Sequence, residues 1–493
     1  MSKFSPAVFT ICFILGCGCS VIENSHRQKE PMMAAFTAGD NEAVSAELAD
    51  QLEAPGIFTA SVINTGDELH WQLEAGSFAF HTGNFEAALM HFTRAETLIA
   101  DYDERAKISL RDIGANAGML LTNLNTLPYR GFCRDRMMLQ IYKSLVYLSL
   151  GREDAFRAQL RRLRMAQKQI QDDFREFFES ESAAIEAAKR EHPQAASRAA
   201  ESDSAEKLTA DSDNAEFAAG LSDLHQVAHR GYGNFLNPAA LFLSALGSLR
   251  DGNPENARID LQRLYEAMPD NPLAQAYFAT ILDLTGRPRP AELQNVEPFN
   301  FPLDRDCVYI LFANGRSGAF RQISAYFPVM IAWPVCEFYP APFRSLTVKS
   351  QDFRTRTYLL ADMDAIIAQE FEERLPLMIT RIILSTAIKE AGKYAAAYAV
   401  YRENEIAGAF VYAGVALYTA AVNTADTRSW EILPKEIQLT QLPMPDDRKI
   451  SLTFDPGTSF PLELPENCRS AIIYVSAPSP QNVAIHILPL TTR

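Results

Sequence analysis

The spacing of apolar residues first changes from helical to β-type near residue 290, and that change limits the folds open to the chain. Upstream, apolar residues recur at helical spacing from about residue 68. Downstream, "NVEPFNFPLDRDCVYILFANG", "AYFPVMIAWPV" and "SLTVKS" are short β-type runs broken by Pro and Gly. A long helical tract over 356–424 follows, and the chain closes on "RKISLTFDPG", "SAIIYVSAP" and "VAIHILPL". Strands, helices and strands in blocks predict an α+β fold. An all-α first part precedes a mixed C-terminal domain over 291–493, with a mostly antiparallel sheet and helices.

The first residues speak to location. Met1-Ser2-Lys3 is a short positive stretch, and "FSPAVFTICFILG" (4–16) is an apolar run too short to cross a bilayer comfortably. It ends in Ile14-Leu15-Gly16-Cys17, which resembles the bacterial lipoprotein signal: aliphatic residue, variable residue, small residue, Cys. Leu15 departs from the small residue commonest there. The resemblance implies a signal peptide over 1–16, lipidation of Cys17 and a polar tether over 17–40. Cys19 fits less well, because Gly16 and Cys17 would then stand where an aliphatic residue is expected. Gly18 rather than Asp after the anchor implies the outer membrane, facing the periplasm. The competing reading is an uncleaved anchor, or an ordinary signal peptide with incidental cysteines.

Composition narrows the partners. With 493 residues, 47% of them hydrophobic, the chain can build two or three domains. Its net charge of −15 argues against nucleic acid, whose phosphates need a surplus of Lys and Arg, and against general adhesion to anionic lipid. Membrane attachment therefore falls to the lipid on Cys17. Beyond Cys12 and Cys17, five cysteines remain: Cys19, Cys133, Cys307, Cys336 and Cys468. A disulfide within the last three is open, but no spacing suits a metal, and neither metal nor cofactor is expected.

Three stretches of the helical half resemble the tetratricopeptide (TPR) repeat, in which two antiparallel helices meet through small residues. "WQLEAGSFAFHTGNFEAALMHFTRAETLIA" (71–100) has Gly76 and Ala88, a turn at Gly83-Asn84, and Phe92 and Ala95 beyond. "AALFLSALGSLRDGNPENARIDLQRLYEAMPDNP" (239–272) has Ala245, Gly252 at its turn, Ala257 and the closing Pro269. The weaker "QIYKSLVYLSLGREDAFRAQLRRLRMAQ" (140–167) has Gly151 at its turn and Phe156 where a small residue is expected. Generic helical hairpins are the plainer alternative. The expected divisions are TPR-like regions over 41–170 and 217–290, separated by a charged Ala/Glu/Ser-rich helix and linker over 171–216. The helix runs to Pro193, with a solvated remainder.

"PYRGFCRDRMMLQIYKSLVYLSLGREDAFRAQLRRLRMAQ" (128–167), "NPAALFLSALGSLRDGNPENARIDLQRLYE" and "TADTRSWEILPKEIQLTQLPMPDDRKISLTF" (424–454) together resemble a family of uncharacterised bacterial lipoproteins. That family has a TPR-like helical half and a C-terminal domain with an A-D-x-R-S-W-x-x-L-P signature, here Ala425 to Pro434. The resemblance spans most of the mature chain and implies architecture and location, with no catalytic residue. It also implies a place beside lipoproteins that assist peptidoglycan synthases. Two readings of the signature stand. In one, Asp426, Arg428 and Trp430 form a structural corner, with an Arg fork, an indole plug and Pro434 closing the link. In the other, Trp430 floors a ligand cleft and Arg428 grips an anion. The corner is preferred because Arg/Trp pairs at junctions are usually packing devices.

Other candidates for chemistry fall away. His225 and His229 share a helix face, but "HQVAH" lacks the Glu of a zinc protease. Ser385 and Lys389 are four apart, where penicillin-recognising enzymes need three. "NGRSG" (314–318) lacks the Lys-Ser/Thr of a phosphate loop and reads as a turn. The apolar stretch 406–422 reads as a buried helix rather than a membrane span. The chain is thus expected to be a lipid-anchored envelope protein, not an enzyme, that scaffolds envelope proteins through helical repeats, in envelope or peptidoglycan assembly. The alternative is a cell-wall or glycan-binding or hydrolysing protein with its site in the C-terminal domain.

Overall fold

The described residues of this computed structural model, 25–53, 67–111, 129–200, 214–233, 235–327, 329–401 and 425–492, open with a helix that the sequence pattern hides. Helix α1 (Ser25–Ala38) occupies much of the stretch expected to be a tether, and Met32, Met33 and Phe36 are buried along it. They pack with α2 (Asn41–Glu53), α3 (Glu68–His81) and Ile432 around Trp71 and Phe78. The expectation failed because two buried positions of α1 are polar, His26 and Lys29, which dilutes the apolar stripe. At most 17–24 can serve as tether. Residues 1–16, Cys17, Cys19 and the stretch 406–422 lie outside the described residues.

Helical hairpins follow. α3 pairs with α4 (Phe85–Arg111), and α5 (Cys133–Ser149) pairs with the 39-residue α6 (Glu153–Glu191). Short α7 (Pro193–Ala200) and α8 (Ala215–Ala228) lead to α9 (Pro238–Arg250), α10 (Pro254–Ala267) and α11 (Pro272–Leu284). The last three begin alike. Asn237, Asn253 and Asn271 each accept a helix-start N–H with the side chain, and proline follows, where a missing N–H costs nothing. The turns of the three hairpins hold Gly83, Gly151 and Gly252 at φ +80°, +65° and +71°, a region that suits glycine. Hairpins stack in chain order, α4 on α5 and α6 on α9.

The C-terminal part is sheet-rich, as expected, and mostly antiparallel. Its strands are β1 (Cys307–Asn314), β2 (Ala319–Phe327), β3 (Val329–Glu337), β4 (Ser345–Lys349), β5 (Arg354–Arg356), β6 (Tyr358–Asp362), β7 (Glu436–Pro443), β8 (Lys449–Asp455), β9 (Ser459–Glu463), β10 (Cys468–Ser479) and β11 (Asn482–Thr492). Helix α12 (Met363–Tyr401) stands between β6 and β7, so the helical tract starts seven residues later than the sequence suggests. A five-stranded sheet in the order β11-β10-β1-β7-β6 has one parallel pair, β1 with β10. A second sheet runs β5-β4-β8-β9, and β2-β3 is a separate hairpin.

Alternation along β1 explains the layering. Tyr309 and Leu311 face the helices, whereas Val308, Ile310 and Phe312 face the four-stranded sheet with Leu346, Leu452 and Phe454. The order is therefore helices, five-stranded sheet, four-stranded sheet. The sheet seals the inner face of the helical array: Phe80 meets Tyr474 at 5.0 Å between ring centres, Phe242 meets Tyr309 at 5.7 Å, and the Tyr277 hydroxyl donates to Gln441 at 2.6 Å. The change at residue 290 thus does not divide the core. The charged helix expected in 171–216 is present to Glu191, but it is not merely solvated, since Ile185, Ala188 and, beyond it, Ala195 pack in one cluster with Trp333 of β3 and Phe371 of α12. Residues 201–213 lie outside the described residues. The four described cysteines, Cys133, Cys307, Cys336 and Cys468, are buried free thiols, so no disulfide joins the last three.

Within the first hairpin, a Cβ at Gly76 would stand 2.5 Å from the ring of Phe92, which is wholly buried. Gly76→Ala should lower stability by about 1–3 kcal/mol, despite a helix-propensity gain of about 1 kcal/mol. Phe92→Leu in the Gly76→Ala background should cost less than it does alone. Urea denaturation of the four chains reads this, and additive losses would contradict the contact.

Candidate functional site

A buried ion pair holds the first helix to the last third of the chain. Lys29 and Glu74 are both fully buried and 2.7 Å apart, on α1 and α3. The Glu74 carboxylate also accepts the backbone N–H of Glu431 at 2.7 Å and that of Ile432 at 2.9 Å. Lys29 donates a further hydrogen bond to the carbonyl of Ser429. One carboxylate and one ammonium thus fix α1, α3 and the 425–435 segment together, with their main hydrogen-bonding groups occupied. The far end of α1 is clamped by the β10–β11 turn, where Ser479 donates to the Thr37 carbonyl at 2.6 Å and Asn482 to the Phe36 carbonyl at 2.7 Å.

The signature residues lie beside this pair. Arg428 makes a fork on Asp426, Nε to Oδ1 at 2.9 Å and Nη2 to Oδ2 at 2.8 Å, while Nη1 reaches Asp67 at 3.0 Å. All three guanidinium nitrogens thus donate to carboxylates, and the group lies over the Tyr129 ring at 5.7 Å. Trp430 is wholly buried between Phe92 and Tyr142, and its indole N–H donates to Ser77 at 2.8 Å. This is the geometry of a packed junction. No part of the indole is open to solvent.

The open site is one residue further on. A cleft of about 640 Å³ lies under α1, lined by His26, Glu30, Met33 and Thr37 of the helix, by Arg316, Glu337 and Tyr339, and by Glu431 and Gln481. A row of polar groups runs along its wall. Glu431 Oε1 is 3.5 Å from His26 Nδ1, and His26 Nε2 is 3.9 Å from Glu337 Oε2. The Tyr339 hydroxyl donates to Glu337 at 3.3 Å, and the Arg316 guanidinium carbon lies over the Tyr339 ring, 3.5 Å from its centre. Glu431 is buried, and its Oε1 has no hydrogen-bond donor in place. The cleft can bind a polar ligand, offering both carboxylates and a guanidinium.

Sequence reasoning reached Asp426, Arg428 and Trp430, one residue short of Glu431, and placed Arg316 only in a turn. Nothing local marks the others, because the cleft joins α1 to loops some 300 to 450 positions away. Elsewhere, His225 pairs with Glu372 of α12, and Ser385 is buried in that helix. Among the described residues no helix is long and apolar enough to cross a membrane. Comparison with protein-family models, curated proteins and solved structures gave no match.

Two predictions test this corner. Glu74→Leu should destabilise by about 3–5 kcal/mol, because it strands a buried ammonium, and Lys29→Met added to it should recover part of the loss in the same denaturation assay. The second concerns His26. Glu431 beside it raises the imidazole above its ordinary 6.5; burial opposes this, and Glu337 and Glu30 add to the rise. A raised folded-state value means that the contribution is full below pH 6.5 and is lost as pH rises through the folded value. His26→Gln should therefore lower Tm at pH 6 more than at pH 8.5. Asp364, pushed up to about 6 by burial, adds a loss of the same sign between pH 3.8 and 6, which His26→Gln leaves in place. An equal Tm change at both pH values would remove the His26 pairing as its cause.

Proposed function

We propose that this chain is a lipid-anchored protein of the bacterial cell envelope that acts by binding, with the cleft under α1 as its site. The observation that carries the binding role is that cleft, with its row of carboxylate, imidazole, phenol and guanidinium groups on a wall braced by a buried ion pair. The anchor rests on the lipoprotein-like signal ending at Cys17. Eight residue steps separate Cys17 from Ser25, a reach of at most about 28 Å. A lipid on Cys17 would keep the cleft close to the membrane surface, which on this reading is the periplasmic face of the outer membrane.

A second reading, a partner scaffold built on TPR-like repeats, has its own support. Gly76 against Phe92, the left-handed turn glycines and the ordered stacking of hairpins are what such repeats require. The sheet occupies the inner face of the array, so an envelope-protein partner would meet the outer face or the cleft rim. Membership of the lipoprotein family bearing the A-D-x-R-S-W-x-x-L-P signature rests on residues 425–434 and the helical stretches quoted above. A glycan site floored by Trp430 has less behind it, given the enclosed indole.

Metabolic labelling with an alkyne fatty acid tests the anchor. The native chain and Cys19→Ser should take the label and sediment with membranes, whereas Cys17→Ser should lose both. Label retained on Cys17→Ser would overturn the assignment.

A further inference from the structure

We propose that the cleft under α1 takes a peptide-type zwitterion, a ligand carrying a free ammonium group and a carboxylate, rather than a neutral sugar. This rests on the reading of the cleft as the binding site and names the chemistry it selects.

Charge and its placement carry the inference. Three carboxylates line the cleft, Glu30, Glu337 and Glu431, against one guanidinium, Arg316, and one imidazole, His26. The Glu431–His26–Glu337 row is held at 3.5 and 3.9 Å, too long for good hydrogen bonds, so the carboxylates keep acceptor capacity. Glu431 is the sharpest case: its side chain is 2% exposed, it lines the cleft, and its Oε1, facing His26 at 3.5 Å as a charge partner, accepts no hydrogen bond. A buried carboxylate oxygen without a donor is a place where a ligand N–H⁺ is favoured over water. The chain's charge of −15 draws the same sign of group toward it.

The opposite end of the zwitterion has its own receptor. Arg316 is fixed by stacking on Tyr339 and forms no ion pair among those of the described residues. Stacking occupies the faces of the guanidinium and leaves its N–H edges for a carboxylate. The cleft volume, about 640 Å³, suits a ligand of a few residues. Its apolar groups, Met33, Ala34, Ala38 and the ring of Tyr339, stand beside the charged row and suit the short side chains of a peptide.

The test is calorimetric titration of the full chain, purified in detergent, with the tripeptide Gly-Lys-Gly, its fully N-acetylated form and its C-terminal amide. Chitotriose and phosphatidylethanolamine vesicles serve as competing classes. The free tripeptide should bind, acetylation should weaken it tenfold or more, and amidation several-fold. Arg316→Ala should remove the effect of amidation. Glu431→Gln should remove most of the effect of acetylation, and Glu30→Gln, on the exposed face of α1, should do so in part without a risk to folding. Equal binding of the free and acetylated peptides would overturn the proposal. Chitotriose binding that Arg316→Ala abolishes would overturn it while keeping the cleft as a site, and vesicle binding alone would assign the site to a lipid instead. No binding by any probe would overturn both the proposal and the reading it rests on.

Discussion

The contact between Lys29 and Glu74 decides how this chain closes on itself. Both groups are removed from water, which is costly for each alone, and the arrangement is tolerable only because their hydrogen-bonding atoms find partners. Glu74 receives an ammonium and two backbone amides, and Lys29 also reaches a backbone carbonyl. Those partners come from the first helix, the third helix and a segment more than 350 positions later. Apolar packing could hold the same elements together but would not fix their register. An ion pair with directional hydrogen bonds does, and Arg428, Asp67 and Trp430 repeat the device a few residues away.

That register sets the layering beyond it. With residues 425–435 pinned against α3, β7 begins at Glu436 already beside β1, and the five-stranded sheet lies against the helical array. A stack of helical hairpins normally leaves one concave face open for partners. Here Tyr309, Tyr474 and Gln441 of the sheet pack on the hairpins, which serve as one wall of a shared core. The cleft lies not in the middle of the array but at its edge, where α1 bridges helices and loops.

Much of this architecture is written locally. The glycines at 83, 151 and 252 mark their turns because a left-handed backbone suits no other residue as well. The Asn-Pro steps at 237, 253 and 271 are equally clear helix starts. Strands β1, β3, β4, β8, β10 and β11 stand out by their apolar runs. Strand β7 did not, because Gln438, Thr440 and Gln441 are buried polar residues satisfied by distant partners, so alternation is invisible until those partners are known. Strand β6 runs into α12 without a breaker, and its residues read as helix. Helix α1 was hidden for the same kind of reason as β7, buried polar residues whose partners lie far away in sequence.

The cleft follows that logic to its end. Its groups are individually unremarkable in sequence: a histidine and a glutamate in a polar stretch, an arginine in a turn, a glutamate after a tryptophan. They acquire meaning only when the two ends of the chain meet, and the meeting is what Lys29 and Glu74 enforce. This has a mechanical consequence if Cys17 carries lipid. The tether then pulls on the first turn of α1, where His26 stands, and α1 cannot slide along its neighbours without parting the Lys29 ammonium from Glu74 while both are still enclosed. Stranding one charge of a buried pair costs about 3–5 kcal/mol, so a partial shift of α1 is disfavoured even though full detachment would return both groups to water. An anchored protein gains by building its binding site on the element the anchor pulls, provided that element is locked. The ion pair is that lock.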